Sequence, residues 1–220
     1  KKVIKGEIKF QIPLTEEQKQ AKSIILNNVI TVLKGAAGSG KSTLAAQIAL
    51  DEGIAFPILL GNPDVINALA EANNIVIEGM DIINPKSDAL VEQRAAFGEI
   101  FFKKRQRRGV NKYEASKLMK DRNYYGCMMV ETGEADAMIS GLSRNYPDTI
   151  RPAIQIIGTE EGVSKIAGMY IMLTKKGPLF LADTTVNFNP TAEELADITL
   201  LVAKEVKTLG IEPRIAMLSY

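Results

Sequence analysis

From about residue 54 the chain alternates short apolar runs with longer amphipathic stretches, the pattern of strands exchanging with helices. FPILLG (56–61), NIVIEG (74–79), Ala137–Ser140, KIAGMYIML (165–173), GPLFLAD (177–183) and RIAMLSY (214–220) read as strands. Between them the helix signals are well punctuated. Asn62 caps and Pro63 opens a helix through Ala72, and Ser87 and Asp88 open one running through LVEQRAAFGEIFFKKRQRR to Gly109. Asn111 with Glu114 starts a helix in YEASKLMKDR, and Gly133 ends the helix that carries Cys127, Met128 and Met129. Pro152 is expected in the first turn of a helix, and a Thr191-x-x-Glu194 box opens a long one closed by Gly210. The expected fold is α/β: a mainly parallel sheet with helices on both faces and a β-hairpin over residues 168–183. The final strand lacks a following helix, so the chain reads as truncated at its C-terminus.

Residues 35–42, GAAGSGKS, complete a G-x-x-x-x-G-K-[ST] phosphate loop, with an apolar run (Val29, Ile30, Val32, Leu33) before it and LAAQIAL after it. Strand, glycine loop and helix follow in the required order. Gly35, Gly38 and Gly40 allow close backbone approach, the backbone N–H groups of Gly38, Ser39, Gly40 and Lys41 point at a phosphate, Lys41 reaches the outer phosphates, and Ser42, followed by Thr43, ligates magnesium. ATP with Mg2+ is the ligand this geometry implies. Hydrolysis also needs an acid pair at a strand end, and in PLFLADTT Asp183 is followed by Thr184 rather than a glutamate.

Composition narrows the classes. With 46% apolar residues and a net charge of +1, no global field steers nucleic acid or an anionic membrane. No apolar run is long enough to span a bilayer, and the single cysteine fits a reducing, cytoplasmic setting. The absence of histidine leaves proton transfer to carboxylate, lysine or tyrosine. The basic run Lys103–Arg108 falls at a helix end, where cations complement the dipole.

After the phosphate loop, EADAMISGLSRNYPDTIRPAIQIIG carries the most chemistry. A strand end spilling into a glycine loop and a helix is where open α/β sheets bind ligands. Arg144 and Arg151 flank that helix start, so an anion site is expected there, a pair of arginines satisfying the helix end being the alternative.

Two resemblances give these segments family names. Residues 10–50 resemble the opening of PhoH-like and phage helicase-like ATPases, which implies that Gln18 contacts adenine. Residues 51–220 resemble the phosphate acetyl/butyryl transferase family, above all the version fused to bacterial NADP-dependent malic enzymes, through DEGIAFPILLGN, GEADAMISG, TIRPAIQIIG, LFLADTTVNFNPTAEELADI and EPRIAMLSY. The two parts meet in LAAQIALDEG, which suits either family, so the chain reads as a chimera of a 1–50 phosphate-loop segment and a 51–220 partial transferase domain. The transferase resemblance implies a small phosphate or acyl-CoA ligand: CoA, acetyl-CoA or acetyl phosphate; a cytoplasmic homo-oligomer is expected. The resemblance places Ser140 and Gly141 beside the acyl/CoA cleft, Arg144 and Arg151 at phosphate, and Asp183 and Asn187 at a strand end of the site. The family's S-R-G segment does not occur in these residues, so catalytic residues are unassigned and acyl transfer is expected to be incomplete. Three readings stay open: a transferase-like domain, an ATP-binding module, and a regulatory domain of malic-enzyme type.

Overall fold

The computed structural model describes residues 41–53, 55–141, 144–163, 165–174 and 177–218, without the side chains of residues 41–43 and 173. The candidates Gln18, Gly35, Gly38, Ser39 and Gly40 lie outside the described residues. The chain divides into two compact units, Lys1–Ile157 and Gly158–Tyr220.

The first unit includes helix α1 (Lys41–Asp51), which buries Leu44 and Ile48 against Ala70 and Ile75. Gln47 of the same helix is buried, and its Oε1 accepts the Val76 N–H. The boundary expected at residue 50 therefore falls within a helix that shares a core with residues 70–76. Strand β1 (Ile58–Leu60) leads into α2 (Pro63–Ala72), where Asn62 Oδ1 accepts the Asp64 N–H at 2.8 Å and Pro63 takes a position needing no donor. Strand β2 (Asp81–Ile83) runs parallel to β1, Leu60 opposite Ile83. NIVIEG is therefore not the strand. Its apolar positions serve the small core through Ile75, and Gly79, at φ +83°, turns the chain before β2.

Helix α3 (Val91–Arg105) is entered through a 3₁₀ turn, Asp88–Leu90, capped by Ser87, and leaves through another, Gln106–Arg108, ended by Gly109 at φ +88°. Arg94 is buried on it and donates to the carbonyls of Pro85 and Ser87, fixing the turn after β2. Helix α4 (Lys112–Leu118) starts with Asn111 Oδ1 accepting the Glu114 N–H at 2.8 Å. Helix α5 (Arg122–Glu131) comes next, capped by Asp121, with every residue from Asn123 to Met129 buried. Its side chains form the main core with Phe97 and Phe101 of α3, Ala115 of α4 and Ile156. Phe101 meets Tyr124 edge-on at 5.6 Å between ring centroids.

Residues 137–140, expected as a strand, carry no regular structure. Met138 packs there against α5, its Sδ 3.7 Å from Cys127 Sγ. Gly126 makes room for it, because a Cβ would stand 2.8 Å from Met138 Sδ and 2.9 Å from Leu60 Cδ1. Helix α6 (Tyr146–Ile156) starts earlier than expected, at Asn145 and Pro147, which puts Pro152 inside the helix rather than in its first turn.

In the second unit β3 (Met169–Thr174) and β4 (Gly177–Ala182) form the expected antiparallel hairpin, with Met169 opposite Ala182. Helix α7 (Ala192–Thr208) has the full capping box: Glu194 N–H donates to Thr191 Oγ1, and Thr191 N–H to Glu194 Oε2. Residues 211–218, expected to contain the last strand, are irregular and belong to neither of the two sheets among the described residues. The α/β class and the hairpin stand as expected; the parallel sheet is the β1–β2 pair.

Phe101 has no exposed surface, so Phe101→Ala should cost about 3–5 kcal/mol in urea unfolding followed by circular dichroism. The same truncation at Tyr113, 78% exposed, should stay within about 0.5 kcal/mol.

Candidate functional site

The N-terminus of α5 gathers two of the predicted polar residues, Ser140 and Arg144. Asp121 Oδ1 accepts the N–H groups of Asn123 and Tyr124, and its Oδ2 holds Arg144 at 2.7 Å. One residue thus caps the helix and anchors a predicted anion ligand. Ser140 Oγ donates to Asn123 Oδ1 at 2.8 Å, and Asn123 Nδ2 reaches the Asp148 carbonyl of α6 at 3.4 Å. Gly141, at φ +123°, passes beside α6, where a Cβ would touch Thr149 Cγ2 at 3.7 Å. Arg151 lies on α6 only 3.5 Å from Asp148 Oδ1, and both side chains are about half exposed. Of the two arginines, Arg144 is held and Arg151 is loosely tethered.

Sequence reasoning placed Arg105 in a solvated basic helix end, but the structure gives it a different environment. Its Nε is buried with no hydrogen-bond partner, an uncommon state for a guanidinium donor. Burial pushes the Tyr124 phenol above its ordinary value; Arg151 and Arg105 pull it down while Asp121 and Glu114 push it up. The two guanidinium fields therefore act on one hydroxyl, which donates to Gln155 Oε1 at 2.7 Å. A helical spacing alone offers no signal for this, since Arg105 is distinguished from its basic neighbours only by the burial of its Nε. Lys104 is structural: it bonds Glu131 and the Ile156 carbonyl. Cys127 is core, and burial raises its thiol to about 11, far from a reactive thiolate.

In the second unit Asp183 directly follows β4. Its Oδ1 accepts N–H groups from Gly168, Thr185 and Val186, and its Oδ2 accepts the Asn187 N–H at 2.7 Å and the Asn187 side-chain amide. Asn187 Nδ2 also donates to the Ile166 carbonyl at 2.8 Å. Both predicted residues thus build the loop after the hairpin. An open depression of about 260 Å³ lies between α7 (Leu201, Val202) and the segment containing Val163 and Ile166; neither Asp183 nor Asn187 lines it.

Lys41, Ser42 and Thr43 lie in helix α1, where the phosphate-loop motif expects a helix. No group of three or more potential metal ligands occurs among the described residues, and no helix there is long and apolar enough to cross a membrane.

Comparison with known proteins identifies the family. The family model for phosphate acetyl/butaryl transferase matches residues 4–220. The chain belongs to that family. The match runs through the GAAGSGKS stretch, so the transferase likeness does not begin at residue 51, and the division of the chain between two families finds no support. A phosphate acetyltransferase of Nitrosomonas europaea is 40% identical over 177 residues, covering 80% of this chain and 25% of that protein. That of Thermoanaerobacterium thermosaccharolyticum is 39% identical over 183 residues, covering 80% of this chain and 54% of that protein. The chain thus spans between a quarter and about half the length of these transferases. Among solved structures, a phosphotransacetylase from Streptococcus pyogenes superposes with a TM-score of 0.71 at 34% identity, over 83% of this chain and 54% of that one. The EutD phosphotransacetylase from Staphylococcus aureus gives 0.70 at 30% identity, over 84% and 55%.

The Asp183 carboxylate yields a pH prediction. Burial pushes its pKa up, but the four backbone N–H donors outweigh burial and leave it below the ordinary aspartate value. A lowered native pKa means stability present above the unfolded value and lost as pH falls through the native one. Urea midpoints of the parent chain should therefore decline on acidification below the ordinary aspartate range. Asp183→Asn should start lower at neutral pH and show a shallower acid decline; an unchanged slope contradicts the role given to this carboxylate.

Proposed function

We propose that this chain is the phosphate- and CoA-binding part of a phosphate acetyltransferase-like protein, with the first unit contributing anion contacts around Tyr124. The observation that carries the reading is Arg105: a buried guanidinium N–H without a partner, acting with Arg151 on one phenol. Unpaired buried donors are costly, and since the Nε is closed to solvent, an oxyanion would meet the outer nitrogens of this half-buried guanidinium, whose planar fork matches it bidentately. In the reaction class concerned, a phosphate oxygen attacks the thioester carbonyl of acetyl-CoA, a C–O bond forms, the C–S bond breaks, and CoA leaves as thiolate and takes a proton. Two arginines suit the phosphate before and during attack, since their charge is fixed and their planar forks match its oxygens. Ser140 and Gly141 form the neighbouring loop, whereas Arg144 serves through its pairing with Asp121. Asp183 and Asn187 shape the second unit's loop.

The regulatory reading, a malic-enzyme-type domain, shares this ligand set and differs in predicting CoA binding without phosphate exchange. Cytoplasmic location and homo-oligomeric assembly belong to the same proposal, the assembly being open to sedimentation velocity.

Calorimetric titration of the full chain with CoA and acetyl phosphate tests the proposal. Arg105→Ala and Arg151→Ala should each weaken acetyl phosphate binding about tenfold or more, the loss of a charge-assisted contact. Lys103→Ala, an exposed helix-end charge, should change it less than about twofold. Equal effects of all three substitutions would reduce the binding to general charge attraction.

A second reading, ATP–Mg2+ at the phosphate loop, is favoured by one observation: Lys41, Ser42 and Thr43 are helical, as the motif requires of the residues that follow its glycines. It predicts ATP–Mg2+ binding that Lys41→Ala abolishes without loss of fold. ATP–Mg2+ binding that survives Lys41→Ala would make the loop a structural turn.

A further inference from the structure

We propose that the Tyr124 hydroxyl is a further ligand to the oxyanion held by Arg105 and Arg151, and that Gln155 is the positioning residue that lets its proton turn to that oxyanion. This proposal rests on the phosphate reading of the first unit.

Two helix faces converge on this hydroxyl. On α3, Arg105 stands one turn after Phe101, whose ring meets Tyr124 edge-on. On α6, Arg151 stands one turn before Gln155, whose Oε1 accepts the Tyr124 hydroxyl at 2.7 Å. Long side chains on a helix lean back toward its N-terminus, so Arg105 reaches toward Phe101 and Gln155 toward Arg151. The phenol oxygen therefore stands where the two arginine-bearing faces meet. Tyr124 itself is held: it is 9% exposed, and its backbone N–H donates to Asp121 Oδ1.

Among the described residues the Gln155 side chain bonds Tyr124 alone, so no second bond fixes which end of the amide faces the phenol. The amide accepts the phenol proton through Oε1 or, turned over, donates an N–H to the phenol oxygen. In the second arrangement the phenol proton goes to another acceptor. That proton is present at neutral pH. Burial raises the phenol's pKa above its ordinary value and outweighs the lowering fields of Arg151 on α6 and Arg105 on α3, while Asp121 before α5 and Glu114 on α4 act with burial. The hydroxyl is thus a neutral donor beside two cations. Its bond to an oxyanion is charge-assisted and directional, and it adds no charge of its own. The arginines supply attraction, and the phenol supplies orientation.

The test titrates acetyl phosphate into the full chain by calorimetry over a range of salt concentrations. Tyr124→Phe keeps the ring against Phe101 and should weaken binding about tenfold, the loss of one charge-assisted hydrogen bond, without changing the slope of affinity against salt. Arg105→Ala removes a cation and should flatten that slope. A tyrosine that only props the arginines would flatten the slope as well when truncated, and one that only fills space would leave the affinity unchanged. Either result overturns the proposal. Gln155→Met keeps the length of the side chain and removes the amide. It should weaken binding about threefold in the parent and not at all in the Tyr124→Phe background, because it acts through the hydroxyl. Equal losses in both backgrounds, or none in the parent, overturn the role of Gln155. Carbon NMR of the chain without acetyl phosphate separates this link from the functional reading. The Tyr124 Cζ signal should shift between the parent and Gln155→Met, and identical signals overturn the Tyr124–Gln155 link whatever the titration gives. A parent chain that does not bind acetyl phosphate overturns the phosphate reading and this proposal with it.

Discussion

The burial of α5 on all its faces is the constraint on which the first unit depends. Seven consecutive residues, Asn123 to Met129, are covered, so the helix has no solvent side to relax into. Each neighbour is fitted to a part of it: Phe101 to Tyr124, Phe97 to Tyr125, Met138 and Leu60 to the gap left by Gly126. Interiors packed at crystal-like density transmit small changes, so the loop carrying Ser140 and the helix carrying Arg151 take their positions from this helix.

Polar chemistry enters where α5 begins. A buried helix start needs acceptors for its free N–H groups, and Asp121 supplies one carboxylate oxygen while the other holds Arg144. Asn123 then joins α5 to the carbonyl that Pro152 leaves open and to the Ser140 hydroxyl. The requirements of folding and of the proposed ligand binding therefore fall on the same few residues. By contrast, the Asp183 carboxylate of the second unit is satisfied by its own surroundings: it takes up four backbone donors and the Asn187 amide.

The signals legible in the sequence were the ones that physics makes local. Asn62–Pro63, Ser87, Asn111, Gly109 and the Thr191–Glu194 box act within a turn of the chain, and all mark real helix ends. The hairpin was legible for the same reason, since its two strands are close neighbours in the chain. Apolar runs were ambiguous: Ile75 is apolar because it fills a small helical core, and the pattern around it imitates a strand. Pro152 was read as a helix start because proline tolerates that position, whereas its missing donor is compensated by Asn123, distant in sequence. The same limit hid Arg105, whose buried Nε depends on packing between helices rather than on its neighbours in the chain. Ser140, Gly141, Arg144 and Arg151 were placed in one region by family resemblance, and the structure shows that Asp121, Asn123 and Asp148 hold three of them there.

In the proposed reading the start of α5, with Arg105, Arg151 and the Ser140 loop, is the ligand-binding ground of the first unit. An isotope-edited NMR titration of the full chain with CoA puts this to the test. Saturable shifts should concentrate at Asn123, Tyr124, Ser140 and Gln155, with little change at Lys41–Thr43. Saturable shifts confined to Lys41–Thr43, or none at Tyr124 and Ser140 at saturating CoA, would contradict it.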